Sequence, residues 1–332
     1  MKFLTLITLV VGYFVYLTYQ PYLLDIAIAA LMAIAFLKIE NLISKKIKNR
    51  YILASIVTLI FMGLIFGPLI YFILNITNFL LSIKVEDIKH IISHASGLID
   101  YLPSFIASKI HEYVNQNNIA EIYNSIVPIL GAVTKKGALF FKDVVLIVIF
   151  FFFAILYGRE ILNFFKTIIP FDNDKLEKIF FNTSEVMSVV FYSTMLTAIL
   201  EGVLFGIVVS FYGMNFIFFT IMYAFFSLIP VVGGVLMWAP VSLYLYANGN
   251  TQGALVVAVY SILIISILAD TFIKPLIIKY VQELFETKME INSMIIFFAI
   301  VAGLSSFGMW GMIIGPAVTA MFISILQLYK EI

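Results

Sequence analysis

The sequence predicts an all-α, polytopic membrane protein, and two observations support this prediction. Of the 332 residues, 63% are hydrophobic and only 12% are charged, whereas about 25% of the residues in soluble domains are charged. The mean hydropathy is +1.08, and the apolar residues form about ten successive segments, the longest of which match the ~20 residues that cross a bilayer. Because several segments are shorter, we expect about eight full spans plus broken or re-entrant helices.

Residues 1–75 are predicted to contain three transmembrane helices. The first apolar run lacks a small-residue cleavage site and is interpreted as a retained span. The linker 38–51 is rich in lysine and contains a single acid, Glu40. Because positive loops stay in the cytoplasm, the linker and both termini are predicted to be cytoplasmic.

Residues 76–137 are predicted to form an extracytoplasmic region of amphipathic helices, because apolar residues recur there at helical spacing between polar turns. All three histidines of the chain lie in this region. Glu86, His90 and His94 would share one helical face, but a solvated face explains this spacing better than a metal site. No metal site is predicted. A histidine proton relay within the membrane is excluded, because no predicted span contains histidine.

Residues 138–332 are predicted to form a transmembrane transport core, with a cytoplasmic amphipathic helix at about 172–190. Proline and glycine interrupt the apolar segments of this core. Backbone freed at such interruptions is tolerated at membrane depth only where it packs in protein or lines a wet cavity. We therefore predict backbone gates or ligands at these interruptions, namely Pro230, Gly233, Gly234, Pro240, Pro275, Gly311, Gly315 and Pro316.

Three charged residues of the core are predicted to bind the transported ion or couple it to transport. Glu201 lies well inside an apolar segment, where an ionised carboxylate is costly unless it is paired or hydrated. Asp270 precedes Lys274 by four residues, the favourable order for an ion pair on a helix. Both acids could instead be structural, with Glu201 bonded to a neighbouring helix and the Asp270–Lys274 pair holding a broken helix.

The motifs of the C-terminal half resemble those of the autoinducer-2 exporter family of bacterial inner-membrane permeases. They read, in order, Pro230-Val231-Val232-Gly233-Gly234, Trp238-Ala239-Pro240, Asp270 with Lys274-Pro275, Phe307-Gly308, and Gly311 with Gly315-Pro316. The resemblance implies a polytopic helical fold, export of a small polar signal molecule and self-assembly, and some members look like cation/proton antiporters. Two residues depart from the family pattern: Thr271 stands where Asn is frequent and Lys274 where Arg is frequent. If those side chains hold the substrate in the family, the departures imply a different substrate here.

Other functional classes are less well supported. The near-neutral charge of +1 gives no basic excess for nucleic acid. The apolar segments offer no cysteine nucleophile, metal ligand set or phosphate-binding loop, so neither an enzyme, a cofactor nor ATP-driven pumping is predicted. We therefore predict a secondary transporter that exports a small polar solute by alternating access, with ion coupling. The alternatives are a monovalent cation/proton antiporter of the same fold and a membrane scaffold without transport. The expected partners are the solute or ion, the lipid bilayer and further copies of the chain.

Overall fold

The computed structural model of the protein describes residues 2–68, 70–71, 74–75, 104, 108, 119–168, 173–229, 232–287 and 293–330. Within these ranges the chain is helical and contains no β-strand. Four helical runs there are long and apolar enough to cross a membrane: Phe3–Ser44, Phe141–Phe164, Ile179–Ser210 and Thr251–Leu284. Shorter apolar helices accompany them. The predicted all-α polytopic membrane architecture is confirmed, while the count of about eight full spans stays a prediction.

The chain divides into two compact units. Unit 1 contains residues 1–62, 140–191 and 287–332, and unit 2 contains residues 63–139 and 192–286. Each unit is therefore assembled from segments that are distant in sequence.

Unit 1 begins with α1 (Lys2–Tyr19), a 3₁₀ turn (Gln20–Tyr22), α2 (Leu23–Ser44) and α3 (Arg50–Phe61). It also contains much of α4 (Ile119–Ile168) and the start of α5 (Asn173–Ser210). At its centre the ring of Phe36 lies 5.5 Å from each of three other rings, those of Phe61, Phe151 and Phe191. The hydroxyls of Ser184 and Ser188 donate to backbone carbonyls of α2, which fixes α5 against α2.

Unit 1 ends in a helical hairpin formed by α10 (Ser293–Phe307), a 3₁₀ turn (Gly308–Trp310) and α11 (Gly311–Lys330). The two helices meet through small residues spaced by four. A β-carbon on Gly311 would collide with the backbone of Gly303, and one on Gly315 would collide with the backbone of Ala299. Small residues at this spacing allow membrane helices to approach closely.

Unit 2 contains the second half of α5, followed by α6 (Phe216–Ser227), α7 (Gly233–Ala247) and α8 (Thr251–Tyr260). The helix then widens into π turns over Ser261–Ile273 and continues as α9 (Lys274–Leu284). The asparagine side chains of Asn215 and Asn250 cap α6 and α8, as expected for this residue type. An apolar core centred on Phe205 and Tyr223 joins α5 to α6, α7 and α8.

Three predicted helix interruptions are wrong. Pro240 lies inside α7 and Pro316 lies inside α11, while the 3₁₀ turn Gly308–Trp310 separates α10 from α11. Lys274 keeps helical angles, φ −57 and ψ −44, and its amide donates to the Ala269 carbonyl. Pro275 occupies the first turn of α9, where a missing amide costs little. Near Pro230, α6 ends at Ser227 and α7 begins at Gly233, but Pro230 itself lies outside the described residues.

Other predicted boundaries fall inside longer helices. The proposed division between residues 137 and 138 lies within α4, a helix of 50 residues, and the domain assignment stays a prediction. The segment 172–190 is the start of the 38-residue α5. Residues 183–191 are buried on every side, whereas the sequence predicted a single apolar stripe. Most of 76–137, with the predicted histidine face, lies outside the described residues.

Candidate ion-coupling site

The predicted residue Glu201 is buried in unit 2. It lies on α5, and only 5% of its surface is exposed. The next residue, Gly202, lets α6 pack closely, because a β-carbon there would collide with the backbone carbonyl of Thr220 and lie 2.9 Å from the Ala224 β-carbon. This close contact between α5 and α6 shields Glu201 from solvent.

Asp270 and Lys274 reach the same site from the π segment and the start of α9. The Lys274 ammonium donates to the Asp270 carboxylate at 2.9 Å, and each side chain is 46% exposed. The Asp270 carboxylate and the Lys274 ammonium both interact electrostatically with the Glu201 carboxyl. The three charged residues predicted from sequence therefore form one cluster.

Two residues of α6 complete the cluster and were not predicted. The Ser227 hydroxyl, on the last residue of α6, donates to the Ala224 carbonyl at 3.0 Å and contributes to the electrostatic environment of Glu201. Tyr223 is 1% exposed and interacts electrostatically with Glu201 and Asp270. Their four-residue spacing could have shown that they share a helical face, but nothing in the sequence linked that face to Glu201.

The arrangement is suited to binding a proton or a cation. Two carboxyl groups that interact electrostatically are stabilised by a proton or a cation near them, and Lys274 balances one negative charge. The Ser227 hydroxyl adds an oxygen ligand, and the C-terminal end of α6 carries partial negative charge from the helix dipole. Oxygen ligands are preferred by hard cations. Among the described residues no group of three or more His, Cys, Asp or Glu side chains is placed to hold a metal ion.

The remaining predicted site residues lie in several places. Gly233 and Gly234 begin α7, where Gly233 packs against the Phe226 carbonyl and Gly234 faces the Tyr223 hydroxyl. Pro240 follows within α7, and Pro275 adjoins the cluster through Lys274. Gly311, Gly315 and Pro316 belong to α11 in unit 1. Pro230 lies outside the described residues.

Unit 1 contains further buried acids that sequence reasoning overlooked. Asp25 on α2 is 4% exposed and interacts electrostatically with Asp143 and Lys142 of α4. Glu40 is 7% exposed, and the Arg159 guanidinium approaches it at 3.5 Å. Both acids lie near predicted span ends, where a charged residue usually marks the membrane boundary, so the sequence did not suggest burial.

Comparison with known proteins identifies the family. Residues 3–331 match the sequence model described as "AI-2E family transporter". The chain belongs to the AI-2E transporter family. A protein of Helicobacter pylori named "Putative transport protein" is 31% identical over 334 residues, covering 99% of this chain and 95% of that protein. A protein of Aquifex aeolicus with the same name is 23% identical over 323 residues, covering 91% of this chain and 89% of that protein.

Membership in the AI-2E family confirms the resemblance drawn from the C-terminal motifs and extends it to nearly the whole chain. Together with the long apolar helices, it shows a multi-pass membrane protein of a transporter family. A relative from the archaeon Methanocaldococcus jannaschii, named "Putative transport protein MJ1177", is 23% identical and covers 93% of this chain and 91% of that protein.

Proposed function

We propose that this AI-2E family protein is a secondary transporter that exports a small polar solute by alternating access, coupled to a proton or a monovalent cation. The observation that carries the proposal is the buried Glu201 carboxyl, which meets the Asp270 carboxyl, the Ser227 hydroxyl and the charge of Lys274 within one unit. Ionisable residues inside membrane segments commonly mark ion pathways.

The charge balance of the cluster supports a coupling role. With Lys274 charged and both acids ionised, the site carries one net negative charge, and binding a proton or a monovalent cation neutralises it. Moving a neutral site across a low-dielectric barrier costs far less than moving a charged one. A carrier that changes conformation mainly when the site is neutral therefore couples the ion to the solute.

Asp270 and Lys274 are the groups through which the solute would be recognised, because each is 46% exposed while Glu201 is buried. A carboxylate and an ammonium side by side suit a solute with several hydroxyl or carbonyl groups. Pro230, Gly233, Gly234, Pro240, Pro275, Gly311, Gly315 and Pro316 stay predictions as backbone gates or ligands.

The test is ion flux into liposomes that contain the purified protein and trapped small polyhydroxylated solutes, followed with a pH-sensitive dye under proton and sodium gradients. We expect wild-type flux to depend on a cation gradient and to be abolished by Glu201→Gln and by Asp270→Asn. Glu283→Gln is the matched control, because Glu283 is 67% exposed and lies 3.9 Å from Lys279 on the same unit. Equal flux in the wild type and both acid variants would refute coupling through these acids.

A monovalent cation/proton antiporter is the second candidate, and the oxygen ligands around Glu201 favour it. An antiporter moves protons when only a sodium gradient is applied, whereas a solute exporter also needs the organic solute. A scaffold without transport would show no flux in either assay and would keep its partners when both acids are neutralised. Transport without catalysis is proposed, and no residue is assigned a catalytic role.

Location and assembly complete the proposal. We propose cytoplasmic termini, because the linker between α2 and α3 is basic, and a bacterial inner membrane, because the family resemblance implies one and the chain is similar to proteins of Helicobacter pylori and Aquifex aeolicus. We also propose a homo-oligomer, since α1 is apolar and exposed along its whole described length and its surface must meet lipid or another copy. Light scattering of the purified protein in detergent would give the number of chains.

A further inference from the structure

We infer that the loop between α2 and α3 binds the headgroups of anionic phospholipids. The binding surface is formed by residues 45–48, the lysine loop, which carries Lys45, Lys46 and Lys48. The lysine loop belongs to unit 1, whereas the ion-coupling cluster belongs to unit 2. The inference therefore goes beyond the proposed transport function and does not depend on it.

The lysine loop lies where two helices of unit 1 leave the membrane. α2 has no charged residue in 26–37, and α4 has none in 144–158. These uncharged stretches end at one level, because the Arg159 guanidinium on α4 lies 3.5 Å from the Glu40 carboxylate on α2. Charged residues at the end of an apolar run mark the membrane boundary. The lysine loop follows directly after α2, so it lies in the headgroup region.

Aromatic and apolar residues beside the loop support this location. The Arg50 guanidinium lies 5.4 Å from the centre of the Tyr51 ring and 5.5 Å from the centre of the Tyr157 ring. Tyrosine is enriched at the interface between membrane and water. Leu42 before the loop and Ile52 after it are both exposed, so they are suited to contact with lipid chains. The lysines therefore stand next to lipid.

Two adjacent residues of α4 hold both ends of the loop in place. Arg159 contacts Glu40 and, at 3.4 Å, the side-chain oxygen of Asn41, both near the end of α2. Glu160 accepts a hydrogen bond at 2.8 Å from Arg50, the first residue of α3. The position of the loop relative to α4 is therefore fixed from either side.

The backbone of the loop is also ordered by hydrogen bonds. The amides of Lys46 and Ile47 both donate to the Ile43 carbonyl at 3.0 Å. The Asn49 side chain accepts from the first amides of α3 and caps that helix. A loop that is already ordered loses little conformational entropy when it binds a ligand.

The ammonium groups of the lysine loop are available to a ligand. All three lysines are exposed, and in the part of the chain that the structure describes none of them is paired with an acid. The nearby acids Glu40 and Glu160 are paired with arginines instead. Lysine binds phosphate as a point charge, and each lysine close to an anionic membrane strengthens binding by about fivefold. Phosphatidylglycerol offers a phosphate without the cation that phosphatidylcholine carries.

The test is thermal unfolding of the full-length protein in a neutral detergent, titrated with short-chain phosphatidylglycerol or short-chain phosphatidylcholine. A lipid that binds the folded protein raises its unfolding temperature. We expect phosphatidylglycerol to act at much lower concentration than phosphatidylcholine, and high salt to weaken its effect. The triple variant Lys45→Gln, Lys46→Gln, Lys48→Gln should need about a hundredfold more phosphatidylglycerol for the same rise.

Matched variants separate this surface from a general effect of charge. Lys46→Gln alone should require about fivefold more phosphatidylglycerol. Lys279→Gln removes the same charge from a lysine of unit 2 that is 72% exposed, and it should leave the titration unchanged. Replacing all three lysines of the loop by arginine keeps the charge and should keep the response. Without lipid, the triple glutamine variant should unfold at the wild-type temperature, because its lysines are exposed and unpaired.

Three outcomes would overturn the inference. An equal response of the wild type and the triple glutamine variant would show that the lysines determine topology only. Equal responses to the two lipids would show that the headgroup charge is not recognised. Stabilisation by glycerol phosphate as strong as that by phosphatidylglycerol would indicate a site for free phosphate compounds. If the triple glutamine variant does not fold, the wild type decides, because stabilisation that high salt does not weaken would also contradict binding by these lysines.

Discussion

The hydroxyl of Tyr223 lies in the space beside Gly234: a β-carbon built on that glycine would stand 2.7 Å from the hydroxyl oxygen. Tyr223 interacts electrostatically with Glu201 and Asp270, so Gly234 indirectly sets the position of a ring beside the ion-coupling cluster. Gly234 is therefore needed for space and not only for backbone freedom.

Gly234→Ala is expected to displace the Tyr223 hydroxyl, to destabilise the protein by about 1–3 kcal/mol and to reduce flux. In a Tyr223→Phe background the nearest remaining ring atom is at an ordinary contact distance of 3.5 Å, so adding Gly234→Ala should then cost little. Thermal unfolding in detergent gives the stability of the wild type, of each single variant and of the double variant, and so the cost of Gly234→Ala in both backgrounds. An equal cost of Gly234→Ala in both backgrounds would contradict the steric explanation.

Gly311→Ala and Gly315→Ala are expected to separate α10 from α11 and to destabilise unit 1 by about 1–3 kcal/mol each. The reason is that each added β-carbon meets backbone of α10, which cannot move aside as a side chain can. Gly12→Ala and Gly158→Ala are matched controls inside helices, because nothing lies within 4 Å of a β-carbon at either position. These controls should be neutral or stabilising, and unfolding temperatures in detergent would show the difference.

Lys274→Gln is expected to reduce transport strongly while changing stability by only about 0.2–1 kcal/mol, because the ion pair with Asp270 is half exposed. Removing the ammonium leaves two carboxyls without the balancing charge, so the site would bind an additional cation before it is neutral. Flux measured at several sodium concentrations tests the expected loss of transport. Thermal unfolding in detergent tests the expected small change in stability. Lys279→Gln, which affects an exposed pair of the same helix, is the control. A large loss of stability with normal flux would assign the pair a structural role.

Arg159→Gln is expected to destabilise unit 1 by about 1–3 kcal/mol, because it leaves the buried Glu40 carboxylate without its charged partner. The double variant Glu40→Gln, Arg159→Gln should recover part of this loss, since no uncompensated charge remains. Arg50→Gln breaks an exposed pair with Glu160 and should have a smaller effect. Thermal unfolding of these variants provides the comparison, and an equal loss for Arg50→Gln and Arg159→Gln would show that burial of Glu40 is not the cause.

Glu201, Asp270 and Lys274 could be chosen from sequence because each is a charged residue in an apolar segment. An ionised side chain in a membrane-spanning segment costs free energy whatever its neighbours in space, so it indicates a functional or paired residue. Their assembly into one cluster could not, since Glu201 lies on α5 and Asp270 on a π segment late in the chain. Tyr223 and Ser227 were missed for the same reason. A tyrosine and a serine on an apolar helix are ordinary until the facing helix is known.

Helix interruptions also show what the sequence could not determine, because here it predicted breaks that the structure does not contain. Proline predicted breaks at Pro240, Pro275 and Pro316, yet Pro240 and Pro316 lie inside α-helices and Pro275 occupies the first turn of α9 after a π segment with no gap between them. A proline removes one hydrogen bond, and the remaining bonds of a long helix, together with packing in protein, can hold the backbone in place. At Gly308, by contrast, the positive φ of 61° ends a helix that no proline marks.

The sequence by itself determined the membrane-protein class, the helical architecture and the family, because hydropathy and local motifs depend on residues that are neighbours in the chain. Only the tertiary structure decided which acids meet, which glycines are packed against backbone and which acids of unit 1 are paired with arginine. The physical reason is that these properties depend on contacts between distant segments: Gly311 against Gly303, Arg159 against Glu40, and Ser227 against Glu201. Burial and pairing of a polar group are properties of its neighbours in space.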